Sequence, residues 1–286
     1  MRLASAKVLI TGGGGGIGAA MAEALLVHGA GVLLVDRDAT ALAAATARFA
    51  VHGPRVGTFA ADLTNEADRQ RVVEFAATWL GGVNVLVNNA GVNHFRLFED
   101  QSAGQIDLAL AVNLQAPLHL CRLLLPRLGA AGEAHIVNMG SVFGSIGYPA
   151  YSVYSATKFA MRGFTEALRR ELAGGPVKVH YLAPRATRTP INSAAVERMN
   201  AELGTATDPP ERVAAALCRM LERDEPERVV GWPEKFFARL NGALPRLVDG
   251  ALVKQLPVIR RYARESLPPA PAAHDVEVAP GATGGA

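Results

Sequence analysis

Residues 8–18 read VLITGGGGGIG, and the fold turns on that stretch. An apolar run, Val8 to Thr11, passes directly into five consecutive glycines and then into an alanine-rich segment with helical spacing, Gly18 to His28. A strand that ends in glycine and opens a helix presents bare backbone N–H groups at the positive end of the helix dipole, where a phosphate can approach. Gly12, Gly16 and Gly18, with Ile17 among them, are the positions at which the backbone must come close. Taken alone, the glycines suit a plain tight turn equally well. Asp36 closes the next apolar run about 20 residues downstream, where a carboxylate accepts hydrogen bonds from adenosine ribose hydroxyls. Together these features indicate a dinucleotide.

Beyond this unit, short apolar runs alternate with longer stretches of 3.6-residue periodicity, the pattern of a parallel sheet covered by helices on both faces. Strands are predicted at 8–11, 31–35, 56–60, 83–88, 135–139, 177–183 and 228–231. Helices are predicted over Gly18–His28, Asp38–Val51, Glu66–Leu80, Gly104–Leu128 and Ser155–Ala173, with Gly29, Gly53, Gly81 and Gly174 as stops. The expected fold class is α/β: one doubly wound domain over 1–232 with a seven-stranded parallel sheet. After Trp232 come three short amphipathic helical pieces over 233–265, Pro245 and Pro257 each placed to open one. Leu247, Val248, Ala251, Leu252 and Leu256 share one face, and Val258, Ile259, Tyr262 and Ala263 another. Residues 266–286, rich in Ala, Pro and Gly, are expected to be a disordered tail.

With 286 residues, 50% of them hydrophobic, the chain can bury a large core, which excludes a disordered protein. Its longest uncharged stretch, 134–157, is interrupted by polar residues, glycine and proline, so no membrane span is expected. The amino terminus lacks an apolar signal core, so a cytoplasmic location is expected. Cys121 and Cys218 form no CxxC, and the histidines never fall three or four apart, so neither a disulfide framework nor a metal site is indicated. Basic charge gathers late: residues 235–265 carry seven basic and two acidic side chains, against a neutral body. Without an aromatic-basic groove, nucleic acid is not an expected partner.

Further motifs identify a family. Asp62-Leu63 ends the third strand, Asn88-Asn89-Ala90-Gly91 ends the fourth, and Y154-S-A-T-K158 sets Tyr154 and Lys158 one helical turn apart. Ser141 lies 13 residues before Tyr154, and Asn113 sits inside a long helix. With the TGxxxGxG spacing at Thr11–Gly18, these motifs resemble those of the classical short-chain dehydrogenase/reductase family over about residues 5–232. The resemblance implies a Rossmann-type domain, a nicotinamide cofactor and a catalytic tetrad of Asn113, Ser141, Tyr154 and Lys158. It implies cofactor contacts at Gly12, Gly16, Ile17, Gly18, Asp36, Arg37, Asp62, Leu63, Asn89, Ala90, Gly91, Tyr154, Lys158, Pro184, Thr187 and Thr189. It also implies a homodimer or homotetramer.

The residue types suit the chemistry, because moving a hydride at a carbinol carbon requires a proton to leave or reach the oxygen in step. Tyr154 supplies that proton, Lys158 is placed to stabilise the phenolate, and Ser141 to hydrogen-bond the substrate oxygen. Asn113 resembles the residue that holds a water in the proton relay. Singly, each has a plainer role as a strand-end cap, helix kink or surface pair; jointly, at these spacings, they do not.

Asp36 would repel a 2′-phosphate, which favours NAD over NADP, while Arg37 is the contrary feature. Arg185 stands where the family has glycine after Pro184, which predicts a reshaped loop or a site for an anionic substrate group. Residues 190–212 fall at the family's variable substrate lid, and 234–265 resemble the carboxy-terminal helices of hydroxysteroid and retinol dehydrogenases. Trp232, Phe236, Phe237, Leu240 and Leu244 are candidates to wall the cleft. The expected substrate is a lipophilic alcohol or ketone, steroid-, retinoid- or acyl-like, with peripheral membrane contact through 234–265 as a further expectation. The alternatives are an NADP-dependent 3-oxoacyl-type reductase and a non-catalytic dinucleotide sensor.

Overall fold

The computed structural model describes residues 1–266, so the expected tail lies, apart from Ser266, outside the described residues. Seven strands form one sheet: β1 (Lys7–Thr11), β2 (Gly31–Asp36), β3 (Val56–Ala60), β4 (Val85–Asn88), β5 (Ala134–Met139), β6 (Val177–Pro184) and β7 (Glu227–Val230). They are parallel throughout, in the order β3-β2-β1-β4-β5-β6-β7. Strand order reverses between β1 and β4, which opens a crevice at their carboxyl ends, where ligands bind in such sheets.

Alternation along the strands divides the core. Val8, Ile10, Val32 and Leu34 pack under α1 (Gly16–Val27), α2 (Ala39–Arg48) and α8 (Pro210–Arg223). Leu9, Leu33, Val35 and Leu86 pack on the other face, under α3 (Glu66–Thr78) and α5 (Ala116–Ala130). Nearly continuous apolar strands are what burial on both faces demands. Asp38 and Asn65 cap α2 and α3 by accepting from their first-turn N–H groups. Gly29, Gly53, Gly81 and Gly174 all take positive φ, as stops require.

Three elements differ from the sequence reading. The helix predicted over 104–128 is α4 (Ala103–Leu110) and α5, joined through a π-helical turn at Ala111–Gln115. That run, Ala103–Ala130, is long and apolar enough to cross a membrane by length and composition, contrary to the expectation that no segment is. Leu120, Leu124 and Leu128 are nevertheless buried in the core against α3 and the sheet. Pro257 opens no helix: it lies exposed within α10 (Pro245–Glu265), so the extension is two helices, α9 (Glu234–Ala243) and α10. Leu247 is 63% exposed, yet it lines one cavity together with buried Val248 and with Ala251 and Leu252.

The extension packs on the body through Ile259, Tyr262 and Ala263, which bury with Phe95, Tyr151 and with Val196 and Met199 of α7 (Ala194–Glu202). The Tyr262 hydroxyl donates to Glu202, 2.8 Å away, and Arg261 pairs with the same carboxylate. Beyond it stands α6 (Ser152–Glu171), which carries the YSATK motif.

Candidate active site

The glycine loop is held to β4 by one threonine. Thr11 Oγ1 accepts from the backbone N–H groups of Asn89 (2.9 Å) and Ala90 (3.0 Å), and the Asn89 amide donates to the carbonyls of Thr11 (3.0 Å) and Gly12 (3.1 Å). A Cβ at Gly18 would lie 2.1 Å from the Gly12 carbonyl oxygen, so the loop closes this tightly only with glycine there. Asn88 serves the sheet, donating to Asn138 Oδ1 at 2.8 Å, while Asn138 donates to Thr165 at 3.0 Å on α6.

A trough of about 400 Å³ runs along the carboxyl ends of the strands. It is lined by Gly12, Gly16 and Ile17 at one turn, by Asp36, Arg37, Asp62 and Leu63 at one end, by Asn89, Ala90 and Gly91 in the middle, and by Tyr154, Lys158, Pro184 and Thr189 at the other end. Gly15 caps α1 without a side chain, and a Cβ there would meet nothing, so the helix's first N–H groups face open space in the trough. Asp36 accepts from the Gly14 N–H (3.0 Å) through one oxygen and the Asp38 N–H (3.1 Å) through the other, which fixes its carboxylate at the rim. These features fit a dinucleotide: amides for its phosphates, a carboxylate for a ribose, and length enough to reach Lys158. Of the predicted cofactor contacts, Gly18 acts by shaping the loop, and Thr187 falls on the neighbouring cavity instead.

That cavity, about 380 Å³, meets the trough at Ile17, Tyr154, Pro184, Thr189 and Ile191. Tyr154 stands at the junction beside Ser141. The Ser141 oxygen accepts from the Phe143 N–H at 3.1 Å, which leaves its hydroxyl hydrogen to point elsewhere. Burial pushes the Tyr154 phenol up to about 12, with a hydrogen bond to Ser141 pulling the other way. Burial also pulls the Lys158 amine down to about 8. Lys158 Nζ donates to the Met139 carbonyl (2.8 Å) and lies 5.6 Å from the centre of the Tyr154 ring.

Asn113 is fixed by three side-chain hydrogen bonds. Its amide donates to the Val92 carbonyl (2.9 Å) and to Thr157 Oγ1 (3.2 Å), and its oxygen accepts from the Val92 N–H (2.8 Å). Thr157 in turn donates to the Tyr154 carbonyl at 2.7 Å. The side chain therefore clamps the loop after β4 to α6, and the π-turn around it changes the local carbonyl pattern, the kind of irregularity found at functional sites.

Arg185 lines the cavity, with its guanidinium already engaged by protein groups. Its guanidinium makes a bidentate pair with Asp208 (2.9 and 2.7 Å) and donates to the Trp232 carbonyl (3.1 Å), with only 10% of its side chain exposed. Its backbone takes no positive φ, and Gly231 supplies the room: a Cβ there would lie 2.6 Å from Arg185 Cδ.

The cavity wall holds residues that motif reading missed. Phe143 and Tyr148 stack with ring centres 4.8 Å apart, and Phe143 and Tyr151 both meet Tyr154 edge-on. Three of the five tyrosines fall within residues 148–154, a clustering that could have signalled the wall. Phe237 and Leu240 line the cavity as expected, joined by Val248 and Leu252 of α10; Trp232, Phe236 and Leu244 do not line it. At the far side the Tyr148 hydroxyl donates to Gln255, 3.2 Å away.

The family of short chain dehydrogenases matches residues 6–200, and the chain belongs to it. The chain is 33% identical over 216 residues to a 3-alpha-(or 20-beta)-hydroxysteroid dehydrogenase of Mycobacterium tuberculosis, covering 73% of this chain and 80% of that protein. It is 34% identical over 190 residues to the D-beta-hydroxybutyrate dehydrogenase of Cupriavidus necator, covering 66% and 73%. A short chain dehydrogenase/reductase of Burkholderia phymatum, crystallised in complex with NAD, superposes with a TM-score of 0.78 at 26% identity, covering 86% of this chain and 96% of that one. The protein is thus an NAD(P)-dependent oxidoreductase acting on CH–OH groups.

Proposed function

We propose that the protein interconverts a lipophilic secondary alcohol and its ketone, with NAD as the favoured cofactor. The observation that carries the substrate class is the wall of the cavity at Tyr154: Phe143, Tyr148, Ile146, Met199, Leu240 and Leu252 present a largely apolar surface. Such a surface gains by removing an apolar substrate from water, at roughly 25 cal/mol per Å² buried. NAD rests on Asp36, whose fixed carboxylate accepts from ribose hydroxyls and repels a 2′-phosphate; exposed Arg37 beside it is an opposing charge.

When bound, the nicotinamide ring supplies or accepts the hydride. Tyr154 moves the proton: its hydroxyl donates to the carbonyl oxygen in reduction and recovers the proton in oxidation. The Ser141 hydroxyl hydrogen-bonds the same oxygen where charge develops. Lys158 brings a positive charge near the phenol, and Asn113 with Thr157 holds the strand-end loop against the helix that carries both.

Parallel titration with NADH and NADPH, followed by nicotinamide fluorescence, tests the cofactor assignment. NADH should bind more tightly, and Asp36→Ala should weaken NADH while narrowing the gap to NADPH. Tighter NADPH binding in the unaltered protein would overturn it. Turnover confined to short polar alcohols would overturn the substrate class.

A further inference from the structure

The outer side of the extension combines apolar with cationic side chains. Trp232, Phe236 and Phe237 form a continuous aromatic strip, with ring centres 6.2 and 5.7 Å apart, and Trp232 and Phe236 are 70% and 49% exposed. On α10, Arg246, Leu247, Gly250, Val253 and Lys254 follow helical spacing along one exposed face, while Val248 and Ile259 bury the opposite one. Phe237 and Leu247 belong at once to this surface and to the cavity wall, so the cavity opens onto it. Residues 235–265 carry seven basic against two acidic side chains, whereas residues 1–234 carry no net charge.

We propose that this face docks on an anionic lipid surface, with the cavity mouth turned toward the bilayer. Exposed aromatic and aliphatic side chains enter the headgroup boundary, and the lysine and arginine stems lie along it with their charges at the phosphates. Basic residues are drawn to such a surface over about a Debye length. A second copy of the chain fits less well, because a two-fold contact sets this basic face against itself. The docking stands on these surface residues alone, whereas its value for substrate entry rests on the lipophilic substrate proposed above.

Flotation of the full chain with vesicles of phosphatidylcholine, with and without phosphatidylserine, tests the proposal. Binding should require phosphatidylserine and fade with added salt. Arg246→Glu with Lys254→Glu, and separately Phe236→Ala with Val253→Ala, should each weaken it about tenfold or more. None of the four lines the cavity or trough, so NADH binding should persist and report intact folding. No flotation with anionic vesicles, or flotation indifferent to both double variants, would overturn the docking. So would light scattering that finds a dimer dispersed by the same substitutions, since a second copy would then cover the face. Firm vesicle binding by a protein that turns over only short polar alcohols would instead leave the docking standing and remove the substrate reading.

Discussion

At the scale of single residues, the site is poised rather than active before its ligands arrive. Burial holds the Tyr154 phenol near 12 and the Lys158 amine near 8, both shifts favouring the uncharged form. A phenol in that state is an acid ready for reduction and a poor base for oxidation. Alcohol oxidation should therefore accelerate as pH rises through the alkaline range, and ketone reduction should slow there; pH profiles of kcat/KM in both directions check this. Lys158 is cationic only below about 8, so Lys158→Met should slow oxidation below that pH and leave the more alkaline part of the profile little changed. Tyr154→Phe should cost about a hundred- to ten-thousand-fold in turnover while NADH fluorescence titrates as before. Retained turnover in that variant would remove Tyr154 from the proton transfer.

At the scale of elements, legibility followed the range of the interaction. Strands, their order of appearance and the glycine stops were readable because period-2 and period-3.6 patterns and positive-φ positions are local. The trough was readable too, since its residues cluster at strand ends in short motifs. The π-turn at Ala111–Gln115 was not, because it depends on Asn113 reaching Val92 and Thr157, far away in sequence. Pro257 misled because a proline signals a helix start only where the backbone before it is free to end. Arg185 was legible as a departure from the family pattern, but its ion pair was not: its partner Asp208 lies 23 residues on, and the space for it comes from Gly231. The pair ties the end of β6 to the loop before α8, and the Trp232 carbonyl draws in the base of α9. Arg185→Gly, which restores the family residue, leaves a carboxylate that is only 3% exposed with Arg212 as its ion-pair partner among the described residues. Because Arg212 still partners the carboxylate, losing the bidentate pair costs about 1–3 kcal/mol, so the variant should melt below the parent and bind substrate more weakly. An unchanged melting temperature would mean that the clasp does not anchor these elements.

At the scale of the whole molecule, the end of the sheet away from the trough contains a device that sequence spacing hid. His135 on β5 and His180 on β6 are both 1% exposed, 45 residues apart in the chain, and stacked with ring centres 5.0 Å apart. His180 Nδ1 lies 2.7 Å from the Glu225 carbonyl and must donate to it, which leaves its Nε2 to accept from His135 Nδ1 at 2.8 Å. In that arrangement both rings are neutral, and His135 Nε2 is buried without a hydrogen-bond partner among the described residues. Burial and the neighbouring ring pull His135 down to about 4, with the Met1 ammonium adding to the effect and Asp224 and Glu133 opposing it; burial lowers His180 as well. A histidine whose folded pKa lies below its ordinary 6.5 binds its proton first in the unfolded chain. The stability it leaves intact above 6.5 is therefore lost progressively as pH falls toward 4. For His135 alone the loss between pH 7 and pH 5 amounts to about 2 kcal/mol, a sizeable part of the roughly 5–15 kcal/mol that holds a domain together. Because these two strands sit inside a continuous seven-stranded sheet, the proton acts on the cooperative unfolding of the body rather than on a loop. Thermal melts at intervals from pH 7.5 to pH 4.5 should show a steep fall below about pH 6.5. His135→Gln, which cannot be protonated, should flatten that fall even if it lowers the melting temperature at neutral pH. An acid slope identical in parent and variant would assign the fall to other groups.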